Sequence, residues 1–243
     1  MDPEHLQYSE KEISKHVKLI YRRALADSEN LESGNFNAVS PLDLKLLFEL
    51  YDHYFFDDFF NRRYSGKITF RLSQRMTKTG GKVEYSKRDC TYRITLSSFL
   101  IFRSFNTGCR EIKVNGIVCR DRLEAVMRIL EHEIVHLLEL TFYGNSSCKQ
   151  KRFKQMARGI FTHTDVTHQL ITQPEIAHRQ YDLHPGDEVS FEYDRRKYTG
   201  IIDRINKRAT VMVRDKKGNF RDLRGKRYTK FYIPLPYLEP LEN

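Results

Sequence analysis

Residues 121–143, DRLEAVMRILEHEIVHLLELTFY, constrain the chain more than any other stretch. Leu123, Val126, Met127, Leu130, Ile134 and Leu137 recur at helical spacing and share one arc of roughly 100°. His132 and His136 fall on the opposite side, one turn apart, beside Ala125, whose short side chain leaves room for an ion or a substrate. A helix so patterned presses one face into a core and turns the other toward a cleft. The His-Glu-x-x-His spacing lets both imidazoles reach one metal, and Glu133 lies beside them. With Zn2+ as cofactor to acidify a water, Glu133 is the candidate general base that takes the water's proton and hands it to a leaving amine.

The flanking sequence supplies a scaffold. YSEKEISKHVKLIYRRALAD, residues 8–27, is amphipathic through Ile13, Val17, Ile20 and Ala24. Ser40, Pro41 and Asp43 form a helix start, with a serine cap, proline in the first turn and a carboxylate at the positive end of the dipole. The aromatic run LKLLFELYDHYFFDDFF continues from it as a core helix, with Asp57 and Asp58 on its surface. GKITFRLS, GKVEYSK and TYRITLSS alternate in period 2 and read as an antiparallel meander, with TKTGG as a glycine turn between strands. SFLIFRSF is a short helix, REIKVNGIVCRD a strand or loop, and a further helix runs from about Lys149 to Phe161. Helices, a small sheet and more helices make an α+β domain rather than a doubly wound one.

A boundary falls in LITQPEIAHRQYDLHPGD. Beyond it, short strands at roughly ten-residue spacing suggest a small all-β SH3-like barrel over 185–240. Residues 1–40 form an N-terminal helical extension and 41–180 the α+β domain. The chain has 42 Lys and Arg against 32 Asp and Glu, a formal charge of +10. Five of the basic residues, Lys149, Lys151, Arg152, Lys154 and Arg158, stand in 145–162 without an acid, and 184–243 hold 14 basic against nine acidic residues, among them Arg195, Arg196, Lys207 and Arg208. Such an excess favours a polyanion, nucleic acid being the natural partner, through counterion release. No apolar run is long enough for a membrane and no signal peptide is visible, so a cytoplasmic protein, nucleoid-associated or nuclear, is expected. Cys90, Cys109, Cys119 and Cys148 form no CxxC pair, which argues against disulfides and a zinc ribbon.

LYDHYFF, ITFRLSQRMTKTGGKVEYS, RLEAVMRILEHEIVHLLEL and RFKQMARGIFTHTDVTHQL together resemble the SprT-like metalloprotease domain family, to which Spartan and bacterial SprT belong. The resemblance covers roughly residues 44–172. It implies a zincin-like fold, His132 and His136 as zinc ligands, Glu133 as general base, and a protein substrate, in some cases DNA-bound.

Many members of that family place a third histidine four residues before an aromatic. Counting back from Phe153 gives Lys149, which binds zinc only as the neutral amine. Three substitutes are available. Cys148 offers a thiolate beside basic residues; His163 and His168 can fold back; Glu139, one turn beyond His136, can bind the metal or orient a ligand. A site without a third protein ligand is the fourth possibility. The departure keeps two other functions open: a catalytically inactive SprT-like nucleic-acid-binding module, or a scaffold that docks a partner on its barrel.

Overall fold

The computed structural model describes residues 3, 5–105 and 110–241; Cys109 lies outside them. The chain divides into two compact units, Met1–Leu170 and Ile171–Asn243. Cys90, Cys119 and Cys148 are free thiols. Among the described residues, no helix is long and apolar enough to cross a membrane.

In the first unit, α1 (Glu10–Asp27) begins at a capping box in which Ser9 and Glu12 exchange hydrogen bonds. α2 (Pro41–Phe56) begins at a second one, between Ser40 and Asp43. The aromatic run does not continue as one helix. Asp57 and Asp58 both adopt left-handed backbone and break it, and α3 (Phe59–Arg63) starts afresh. The buried Asp52 carboxylate receives Phe60 N and Asn61 N at 2.9 and 2.7 Å, satisfying amides that a continuous helix would have bonded internally.

β1 (Ile68–Ser73), β2 (Gly81–Ser86) and β3 (Thr91–Ser97) form a sheet of order β1-β3-β2. β2 pairs antiparallel with β3 but β1 pairs parallel with it, so the sheet is not the expected meander. Period-2 alternation marks a strand without choosing its neighbour. Here residues 74–80 carry the chain across the sheet, pinned by Ser97 N to Gly80 O at 2.8 Å and Ser97 Oγ to Met76 O at 2.6 Å. That crossing puts β2 at the sheet edge.

α4 (Ser98–Ser104) follows β3 directly. β4 (Ile112–Val114) and β5 (Ile117–Cys119) form a hairpin whose turn residues, Asn115 and Gly116, both have positive φ, the geometry Asn-Gly favours. α5 (Arg122–Tyr143) is capped by Asp121 and closed by left-handed Gly144. It packs against β2, β3, α4 and α6 (Lys151–Phe161), which explains why it is buried nearly all round. Ala125 is fully buried in that packing rather than open to a cleft.

In the second unit, α7 (Gln173–Tyr181) precedes β6 (Glu188–Tyr193), β7 (Arg196–Ile205), β8 (Ala209–Arg214), β9 (Phe220–Arg221), β10 (Arg227–Ile233) and β11 (Glu239–Pro240). The sheet order is β11-β6-β7-β8-β10-β9, antiparallel throughout. Among the described residues its edges, β11 and β9, do not pair with each other, so the expected barrel is an open sheet.

Candidate metal centre

Three elements of the first unit meet at a cavity of about 410 Å³. α5 contributes Ile129, His132, Glu133, His136 and Leu140; β2 and the residues before it contribute Gly80 to Val83; the loops on either side of α6 contribute Ser146, Cys148 and His168. One ligand atom each of His132, His136 and Cys148 lies within 4.8 Å of the other two. Cys148 enters because Gln150 N bonds Ser147 O at 3.0 Å, closing a turn with Cys148 and Lys149 at its tip. Cys148 faces the cavity, whereas Lys149 is exposed.

His132 Nε2 and His136 Nε2 are 3.1 Å apart. A tetrahedral zinc with bonds of about 2.0–2.1 Å holds its nitrogen ligands roughly 3.3 Å apart, so the pair is spaced for one ion. The buried Phe153 ring packs against both imidazoles, at centroid distances of 4.8 and 4.5 Å. Burial, aided by His136, His163 and His168 nearby, pushes the His132 pKa down to about 3, and burial lowers that of His136 too. Both rings are therefore neutral at physiological pH, the form that binds metals.

A relay fixes the His136 ring. Ser146 Oγ donates to Glu139 Oε2 at 2.6 Å, so it accepts from His136 Nδ1, also at 2.6 Å. The proton thus sits on Nδ1 and the Nε2 lone pair faces the cavity. Glu139 is fully buried and also receives Ser147 N and Arg152 Nε. It stands behind His136 rather than among the ligand atoms.

Glu133 is 3% exposed, and burial pushes its pKa up to about 8. Its Oε2 is buried without a hydrogen-bond partner among the described residues, as is His132 Nδ1. An ionised carboxylate in such a place needs a cation or a polar occupant beside it, which a metal with its water provides. The neutral imidazole pair, the thiol and this unpartnered carboxyl oxygen fit a divalent metal of the zinc class.

The remaining sequence candidates stand outside the ligand cluster. His163 is buried against Glu131, 2.8 Å from its Oε2, in a cluster with Tyr51 and Arg128. His168 lines the cavity, held there by a bridge between His168 and Val114 of β4, but is outside the ligand cluster. Arg152 is taken up by Glu139 and by the Tyr143 ring, 4.0 Å from its guanidinium carbon. Lys149, Lys151, Lys154 and Arg158 are exposed. In the second unit, Arg195 and Arg196 lie at the β6–β7 turn and Lys207 and Arg208 at the β7–β8 turn. The ten residues of β7 separate the pairs by roughly 30 Å, so the four do not form one patch.

Sequence reading missed Ser146, with no periodic signal, and the glycine pair Gly80 and Gly81 where β2 begins. A Cβ on Gly81 would lie 2.5 Å from Glu133 Oε1, and one on Gly80 3.2 Å from His168 Cδ2. The doubled glycine was the available signal.

A helix-borne histidine pair, a nearby thiol and a buried glutamate in an α+β unit are residue types that a metal-dependent hydrolase uses. Residues 44–174 match the SprT-like family, more than half of the chain, and the chain belongs to that family. Searches among curated proteins and among solved structures gave no match.

Proposed function

We propose that the chain is a zinc-dependent metallopeptidase of SprT-like type that cleaves proteins associated with nucleic acid. The observation that carries this reading is the meeting of His132, His136, Cys148 and Glu133 at one cavity. His132, His136 and Cys148 hold the zinc. Zinc supplies a Lewis acid there that makes water acidic near neutral pH.

Glu133 takes the proton of the attacking water and returns it to the leaving amine nitrogen. Ser146 and Glu139 keep the His136 lone pair aimed inward. Among the described residues β2 pairs on one side only, with β3, and its first residues line the cavity, so an extended substrate can add as a strand along its free edge. Such pairing places a peptide carbonyl beside Glu133 irrespective of side-chain identity. The exposed Lys149, Lys151, Lys154 and Arg158 follow the motif helix and bring polyanion-bound proteins near the cavity.

The test is single-turnover cleavage of a DNA-bound protein by zinc-loaded wild type and Glu133→Gln. The variant should keep its zinc and lose on the order of 10²- to 10⁴-fold in rate. Equal rates would remove Glu133 from the chemistry. Salt-sensitive DNA binding by a wild type that holds no metal and cleaves nothing would favour the binding-module reading.

A further inference from the structure

The second unit carries its own convergence of metal-binding side chains. His178 lies near the end of α7, Asp182 is that helix's C-cap, and His184 follows two residues on. One ligand atom of each lies within 4.8 Å of the others. His178 Nδ1 and His184 Nε2 are 2.6 Å apart, a hydrogen-bond distance that the two exposed rings must open to roughly 3.3 Å around an ion, and Asp182 Oδ1 is 3.9 Å from His178 Nδ1.

The backbone brings these three residues to one turn. Asp182 is left-handed; its N bonds His178 O at 3.1 Å, and Leu183 N bonds Ala177 O at 3.0 Å while the Leu183 side chain is buried. This helix-ending motif holds the three residues around one turn. On the far side, His184 N donates to Asp187 Oδ2 at 2.6 Å and Asp187 N donates to His184 O at 3.2 Å.

A second observation points to an ion. The outward ring nitrogen of His184, Nδ1, is 3.5 Å from Asp187 Oδ2. A carboxylate behind the non-coordinating nitrogen is the usual outer partner of a metal-binding histidine; at 3.5 Å this one makes an ion-pair contact rather than a hydrogen bond, and its negative charge favours a proton on Nδ1. In His184 the free lone pair then belongs to Nε2, the atom facing His178.

We propose that His178, Asp182 and His184 form a second metal site, for a divalent ion of the zinc, cobalt or nickel class, oriented by Asp187. Two imidazoles and one carboxylate suit these ions, whereas calcium and magnesium require an oxygen shell. All three side chains are exposed, so water completes the coordination and the ion is held more weakly than one in the buried cavity. The bound ion clips the end of α7 to the turn that leads into β6, and so stiffens the second unit.

The experiment is a Co2+ titration of the full chain stripped by chelator, followed by absorption spectroscopy. Wild type should bind two equivalents, one showing the thiolate-to-cobalt charge-transfer band that Cys148 allows and one without it. His178→Ala/His184→Ala should lose the equivalent without the band, and His132→Ala/His136→Ala the equivalent with it. Asp187→Asn should weaken the second site by roughly 10- to 100-fold and leave the charge-transfer band unchanged. A second equivalent that survives in His178→Ala/His184→Ala, or its absence from wild type, would overturn the proposal and leave the two imidazoles as a plain hydrogen-bonded pair. Circular dichroism of each variant confirms that lost binding is not lost folding.

Discussion

The Glu133 carboxylate occupies the space that a side chain at residue 81 would fill, since a Cβ on Gly81 would lie 2.5 Å from Glu133 Oε1. The edge strand and the motif helix can therefore meet only where β2 begins with hydrogen in place of a side chain. Gly81 lies in β2 without positive φ, so its backbone accepts alanine. The constraint comes from the neighbouring carboxylate.

Gly81→Ala should fold and keep its metal while the carboxylate is displaced. A shift of about 1 Å in a reacting group costs on the order of 10²-fold in rate. Turnover measured beside metal content would show the effect, and an unchanged rate would mean that Glu133 can move without consequence.

Ser146→Ala removes the acceptor of His136 Nδ1 and the donor to Glu139. Loss of such an outer partner should weaken metal affinity by roughly 10- to 100-fold. Competition with a chelating dye measures it, and Ser146→Thr, which keeps the hydroxyl, should restore most of the affinity.

Cys148 and His168 share the cavity, but Cys148 alone of the two stands in the ligand cluster. Cys148→Ala should lower zinc affinity and abolish the thiolate charge-transfer band with Co2+. His168→Ala should leave both intact. The reverse pattern would make His168 the third ligand.

Glu131 is fully buried and receives Tyr51 Oη, Arg128 Nη1 and His163 Nε2 within 3.0 Å. Burial opposes its charge, but Arg128, with the His163 and Tyr51 hydrogen bonds, outweighs burial and holds the pKa below its usual range. Glu131→Leu strands the Arg128 guanidinium in the interior and should destabilise the first unit by about 3–5 kcal/mol, seen in urea unfolding.

Asp43 closes the α2 capping box and accepts from Ser28 Oγ, Asn30 Nδ2 and Ser40 N. Burial raises its pKa, but these hydrogen bonds, Ser28's first, outweigh that and leave it lowered. A lowered folded-state pKa adds stability that is complete above the unfolded value of about 3.9 and fades as pH falls through the folded one. Asp43→Asn should cost about 1 kcal/mol at neutral pH and little in strong acid, flattening stability below about pH 4. Thermal unfolding across that range tests the sign.

Much of this architecture is written in short-range chemistry. Ser9, Ser40 and Asp121 cap their helices through groups three residues away, and the His132–His136 spacing puts both rings on one face of α5 wherever that helix packs. Alternation likewise identifies β1, β2 and β3 as strands. Nothing local chooses β3 as the parallel partner of β1, leaves the second unit's sheet open, or breaks the aromatic helix at Asp57 so that buried Asp52 can cap α3. Contacts remote in sequence likewise put Gly81 against Glu133 and send His163 to Glu131 while His168 turns into the cavity. Arg152 reads as one more surface cation until the burial of Glu139 claims it. Periodicity and capping act within about four residues and survive in any context, whereas strand partners and the pairing of buried charges depend on which distant groups lose their water together.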